Sequence, residues 1–127
     1  MEKSTYIPLK DLKIYQLARQ LSKIAWEIYS KMSFEEKKTM GDQFLSSTDS
    51  IGANIAEGYG RFHYLDKVKF FYNSRASHME STIHWIELLF EREKISKEIF
   101  EQFQTIAKEL QVKLNNFITQ TKNEKQK

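Results

Sequence analysis

The chain has 127 residues, with 20 Lys and Arg against 17 Asp and Glu, and its 40% hydrophobic content includes nine Phe, six Tyr and two Trp. That size and composition suit one domain with a single core and exclude a disordered chain. The absence of cysteine excludes disulfides, thiolate metal sites and cysteine nucleophiles, and a net charge of +3 falls well short of what marks a nucleic-acid binder unaided.

One proline and four glycines argue for long uninterrupted elements. "MEKSTYIPLKDLK" has no apolar run of signal-peptide length, and no segment approaches the ~18 consecutive apolar residues of a membrane span. The expectation is a soluble, cytoplasmic protein without a membrane partner.

The first predicted helix covers about 9–32, where Ile14, Leu17, Leu21, Ile24, Ile28 and Met32 recur at steps of three and four. Tyr15, Trp26 and Tyr29 lie off that stripe and widen it. Pro8 suits its first turn, and Asp11 is the competing cap. The second helix covers about 34–59. Ser33 and Glu36 form a capping box, and Met40, Phe44, Thr48, Ile51, Ile55 and Tyr59 make the stripe. Propensity disagrees, because "SSTDSIGAN" reads as a loop, and periodicity decides for a helix. Residues 9–32 carry five cations against two anions, and residues 33–60 two against five, so these neighbours attract.

The third helix covers about 63–91. Leu65, Val68, Tyr72, Ala76, Met79, Ile83, Ile86 and Phe90 form one seam, and Tyr64, Phe71, His78, Trp85 and Leu89 a second line beside it. Two apolar faces are more than one small bundle covers, so Tyr64, Phe71, Trp85 and Leu89 are the candidate oligomer interface; the alternative is that Phe71 and Trp85 broaden the monomer's own core. The fourth helix covers about 96–120, with Ser96 as N-cap, Ile95 and Phe100 as a hydrophobic staple, and a stripe of Ile99, Phe103, Ile106, Leu110, Leu114 and Phe117. Residues 121–127 read as a frayed tail. The fold class is all-α: a single-domain antiparallel up-down four-helix bundle over 1–127, with self-association through the third helix.

The segment Gly52–Arg61, "GANIAEGYGR", is the one stretch that invites a chemical reading, and it fails both phosphate-loop patterns. The Walker A position for the second glycine is Glu57 with no lysine after it, and the third glycine of a dinucleotide fingerprint would be His63. Gly58 and Gly60 read as a helix end closed by a left-handed glycine, and Gly52 as a glycine that lets a neighbouring helix approach. Di-iron bundles need Glu-x-x-His on two helices; here Glu80 and His84 are four apart, and His63, His78 and His84 all lie in the third segment. No metal site, cofactor or catalytic group is expected. Paired carboxylates at Glu57 and Glu80 are the residual enzyme reading, which needs both in one open pocket.

"LKDLKIYQLARQLSKIAWEIYSK", "SIGANIAEGYGR" and "FFYNSRASHMES" together resemble the bacterial proteins encoded within intervening sequences of 23S ribosomal RNA genes, over about Leu9 to Phe117. The most specific piece is "NIAEG", Asn54 to Gly58, followed by Ala76-Ser77 with Glu80. The resemblance implies a four-helix bundle that assembles as a ring-shaped homopentamer, without established enzymatic activity and of unknown role. It extends to the accessory variability determinant of diversity-generating retroelements, a basic pentamer that works with a reverse transcriptase and binds nucleic acid. It further implies that Asn54, Glu57, Ser77 and Glu80 are a polar signature, here read as an inter-helix network. Where such proteins carry an arginine pair, this chain has Leu45 and Ser46.

Two functional readings follow. The first is a non-enzymatic oligomeric scaffold that binds RNA or DNA through a basic exterior, with Lys10, Lys13, Arg19, Lys23, Arg61, Lys67 and Lys69 as contacts. The second is a protein-interaction module that partners a co-encoded enzyme and binds no nucleic acid.

Overall fold

The computed structural model describes residues 6–124. A 3-10 turn, Leu9–Asp11, leads into α1 (Lys13–Ser30), so neither Pro8 nor Asp11 caps the first helix; Leu12 takes that place without a side-chain cap. Ser33 opens α2, which runs as Phe34–Glu36, a π turn Lys37–Gly41, and Asp42–Tyr59. The capping box forms: Ser33 N–H donates to Glu36 Oε1 at 2.9 Å, and Glu36 N–H to Ser33 Oγ at 3.1 Å. α3 comprises Tyr64–Met79, a π turn Glu80–Trp85, and Ile86–Glu91. α4 is Lys97–Asn123, capped by Ser96 Oγ, which accepts from Ile99 N–H at 3.2 Å.

The four helices form an all-α bundle in which each packs against two others. Cross-contacts show that neighbours run antiparallel. Tyr59, at the end of α2, donates its hydroxyl to the Ile7 carbonyl just before α1. Arg75, early in α3, donates to Asn115 Oδ1, late in α4, and Phe90 at the end of α3 stacks on Phe100 near the start of α4 at 4.3 Å. The core is filled by Leu17, Leu21, Phe44, Ile51, Ile55, Phe71, Phe103, Leu110 and Leu114, all but inaccessible. Each such side chain contributes roughly 1.5–3 kcal/mol by leaving water.

Three expectations are corrected. The fourth helix does not fray at 121: it continues to Asn123, and Thr121 is buried with its hydroxyl donated to the Phe117 carbonyl. The rest of the expected tail, 125–127, lies outside the described residues. Neither Gly58 nor Gly60 takes a left-handed conformation, nor does any other glycine; among the described residues the single positive φ belongs to Glu93, at 59°. Glu93 closes α3 in the manner glycine usually does: Lys94 N–H donates to the Leu89 carbonyl and Glu93 N–H to that of Phe90.

The third correction concerns the two faces of α3. Leu65, Tyr72, Met79 and Ile83 of the expected seam are 59%, 37%, 58% and 54% exposed, whereas Phe71 and Leu89 of the second line are fully buried. The π turn explains why the seam does not hold together. Ile86 N–H reaches back five residues to Ser81, so the turn holds an extra residue and the downstream positions rotate relative to an uninterrupted α-helix. Leu65, Tyr72, Met79 and Ile83 therefore stay outside, while Val68 is buried and Ile86 enters the core.

Candidate nucleic-acid interface

Two matched helical stripes build a groove between α1 and α2. On α1, Tyr15, Arg19, Ser22, Lys23 and Trp26 recur at spacings of three and four and form one wall. On α2, Leu45, Asp49, Gly52, Ala53 and Ala56 follow the same spacing and form a floor of mostly small side chains. A Cβ on Gly52 would lie 3.4 Å from the Ala18 Cβ, an ordinary contact, so the helices approach closely at that level. The groove has a volume of about 890 Å³; Arg19, Lys23 and the carboxylate of Asp49 line it, with Lys10, ion-paired to Asp11 at 3.4 Å, at one end.

The α1 wall is held by its own contacts. Arg19 Nη1 donates to Tyr15 Oη at 2.9 Å, and its guanidinium lies 5.6 Å from that ring. Trp26 was expected to widen the core; it is instead 58% exposed and stacks on Tyr29 at 5.8 Å. Tyr29 donates to Asp42 Oδ1 at 2.7 Å, and this hydrogen bond to the carboxylate raises the phenol above its ordinary pKa.

The seven basic residues singled out from sequence do not form one surface. Lys10, Arg19 and Lys23 share the groove, while Lys13 sits in a separate recess with Lys113 and Asn116. Arg61, Lys67 and Lys69 cluster at the corner where α2 meets α3. Arg61 is ion-paired with Glu57 and lies 4.8 Å from the Phe70 ring, and Lys69 is 5.9 Å from the same ring. Lys67 donates to the Tyr59 carbonyl at 3.2 Å, closing the end of α2. Much of that corner's charge is thus committed to holding the turn.

The polar quartet is also dispersed. Asn54 donates to the Ser50 carbonyl, Glu57 pairs with Arg61, and Glu80 accepts from Trp85 Nε1 at 3.1 Å. Among the described residues no hydrogen bond or ion pair joins any two of Asn54, Glu57, Ser77 and Glu80. The inter-helix network lies elsewhere and was missed. Thr48 and Ser81 share a 2.6 Å hydroxyl contact between α2 and α3, and Ser74 donates to the Ile51 carbonyl at 2.8 Å. His78 Nε2 donates to the Ala107 carbonyl of α4 at 2.8 Å, and Thr82 Oγ1 lies 3.2 Å from its Nδ1. Burial holds the imidazole below its ordinary pKa, partly offset by the bond to Ala107. The available signal was the heptad spacing of Ser74 and Ser81, on the same face as Phe71 and His78.

Of the expected interface, Phe71 and Leu89 belong to the monomer's core, where Phe71 meets Phe117 edge-on at 5.3 Å. Tyr64 and Trp85 are half-buried. The surplus apolar face of α3 exists, but it is carried by Leu65, Tyr72, Met79 and Ile83. Among the described residues no three His, Asp or Glu side chains gather as metal ligands, and no helix is long and apolar enough to cross a membrane.

The family model described as 23S rRNA-intervening sequence protein matches residues 10–116. The chain belongs to this family. Among solved structures it is similar to a protein of unknown function from the S23 ribosomal protein family of Bacteroides thetaiotaomicron VPI-5482, with 25% identity and a TM-score of 0.77. That likeness covers 84% of this chain and 96% of the other, whose crystal structure is at 1.70 Å resolution. No curated protein matches the chain.

Proposed function

We propose that this family member is a non-enzymatic, self-assembling cytoplasmic scaffold that holds RNA or DNA on its exterior. The observation that carries the reading is the α1–α2 groove, whose lining sets Arg19 and Lys23, with Lys10 and its ion-pair partner Asp11 at one end, against the carboxylate of Asp49. Self-assembly is supported by the exposed α3 stripe of Leu65, Tyr72, Met79 and Ile83, an apolar line along one helix that a second copy would cover. The resemblance implies a ring of five. Because stripe and groove lie on different helices, assembly through α3 leaves the grooves open, and several weak sites on one particle bind a long polyanion with avidity.

The test has two arms. Light scattering on the purified protein reads its mass, and Leu65→Glu with Met79→Glu is expected to reduce it to the monomer with the helical signal retained. Fluorescence anisotropy against structured RNA, single-stranded DNA and duplex DNA across a salt titration reads binding, which is expected to weaken steeply as salt rises. A protein that binds none of the three is not this scaffold. The same α3 stripe supports a second reading, an interaction module for a co-encoded enzyme. Co-purification of that enzyme, abolished by the α3 pair of substitutions, together with no nucleic-acid binding, is the outcome that would favour it.

A further inference from the structure

Resting on the nucleic-acid reading above, we propose that the α1–α2 groove is a single-strand site, in which Trp26 stacks on an unpaired base while Arg19 and Lys23 meet the flanking phosphates. Two features of the groove favour a single strand over a duplex. Trp26 presents 58% of its surface to solvent at the groove's rim although it is among the largest apolar side chains in the protein. Its ring is already stacked on Tyr29 at 5.8 Å with an interplanar angle of 28°, so it is braced from one side and a base would extend the stack. Bases in a duplex are stacked on each other and cannot make that contact, whereas every base of a single strand offers a π-face.

The cations stand at helical distance from the ring. Lys23 and Arg19 lie three and seven residues before Trp26, one and two turns along the same wall. Arg19 is pinned by its hydrogen bond to Tyr15, so less side-chain entropy is lost when it takes a phosphate. The floor of Gly52, Ala53 and Ala56 leaves room above it for the backbone of a strand. Sequence discrimination is not built in, because stacking on an indole accepts any base.

The experiment uses the full-length protein with Trp85→Phe as background, leaving Trp26 as the one tryptophan, and oligouridylate and oligothymidylate of about ten nucleotides as probes, within the span one groove tracks. Binding is expected to quench the Trp26 emission. Trp26→Ala is expected to weaken anisotropy-detected binding about 5- to 150-fold, the range for loss of one stacked base, while Trp26→Phe keeps most of it. Arg19→Gln and Lys23→Gln are each expected to lower the slope of log affinity against log salt by about 0.7. A duplex of equal length is expected to bind more weakly. Trp26 is exposed, so these variants retain the fold, and unchanged circular dichroism verifies it. If Trp26→Ala binds as tightly as the parent, or the duplex binds as tightly as the single strand, the stacking site is refuted while the broader scaffold reading stands. If none of these short probes binds, the single-strand site is refuted, and the scaffold reading falls with it only if structured RNA and long DNA are not bound either.

Discussion

Gly58→Ala separates two explanations of the glycine-rich stretch. A Cβ at position 58 would lie 2.7 Å from Phe71 Cε1, 3.0 Å from Phe71 Cδ1 and 3.0 Å from Phe70 Cβ. None of these neighbours can yield easily. Phe71 is fully buried with its ring against Phe117, and the Cβ of Phe70 moves only with the α3 backbone. Overpacking of this kind costs about 3 kcal/mol at the upper end of its usual range. Replacing a helical glycine by alanine returns about 1 kcal/mol through propensity. The net expectation is a loss of about 2 kcal/mol, or roughly 7 °C in melting temperature for a chain of this length. Gly52→Ala is the internal control: its Cβ meets Ala18 at 3.4 Å, so the propensity gain dominates and stability is expected to rise by about 0.5–1 kcal/mol. Urea unfolding followed by circular dichroism measures both. Equal shifts in the two variants, or no loss in Gly58→Ala, would refute the argument that Phe71 enforces glycine at 58.

Two further outcomes follow from the bundle. Glu93 holds a left-handed conformation that costs a non-glycine residue about 1–2 kcal/mol, so Glu93→Gly is expected to stabilise by about 0.5–1 kcal/mol after the glycine's own unfolded-state entropy is subtracted; a destabilised variant in urea would contradict this. His78 is held below its ordinary value of 6.5, so the unfolded chain binds more protons than the folded one as pH falls. Its contribution is therefore complete above pH 6.5 and is lost as pH drops from there through the lower folded value. Glu36, lowered from 4.5 by Lys94, sheds its own contribution only at more acidic pH. Urea midpoints between pH 8 and pH 5 are expected to decline in the parent and to flatten in His78→Gln; an equal decline in both would remove His78 as the cause.

How much of this was legible in the sequence depends on the range of the interaction. Helix starts were readable because a cap is a local bond: Ser33 with Glu36, and Ser96 with the N–H of Ile99. The helical course of "SSTDSIGAN" was readable too, because its apolar positions kept helical spacing, and buried serine and threonine hydroxyls bond back to the preceding turn, as Ser47 and Thr48 do to Phe44. The basic groove was half legible. Arg19 and Lys23 share a wall by spacing, but the aromatic partner Trp26 was assigned to the core, since its exposure depends on where α2 sits.

The amino-acid sequence by itself determined four amphipathic helices, their order and their short connections, because hydrophobic period and caps act within a turn or two of the chain. Tertiary structure decided which side of α3 is inside. That choice turned on a π turn at Glu80–Trp85 and on hydroxyls bridging to α2, Ser74 to Ile51 and Ser81 to Thr48. An uninterrupted 3.6-residue period cannot register the extra residue in that turn, and a serine looks polar until a partner on another helix satisfies it. Once those bonds hold Ser74 and Ser81 inward, Phe71 and Leu89 follow into the core, and Leu65, Tyr72, Met79 and Ile83 are left facing outward.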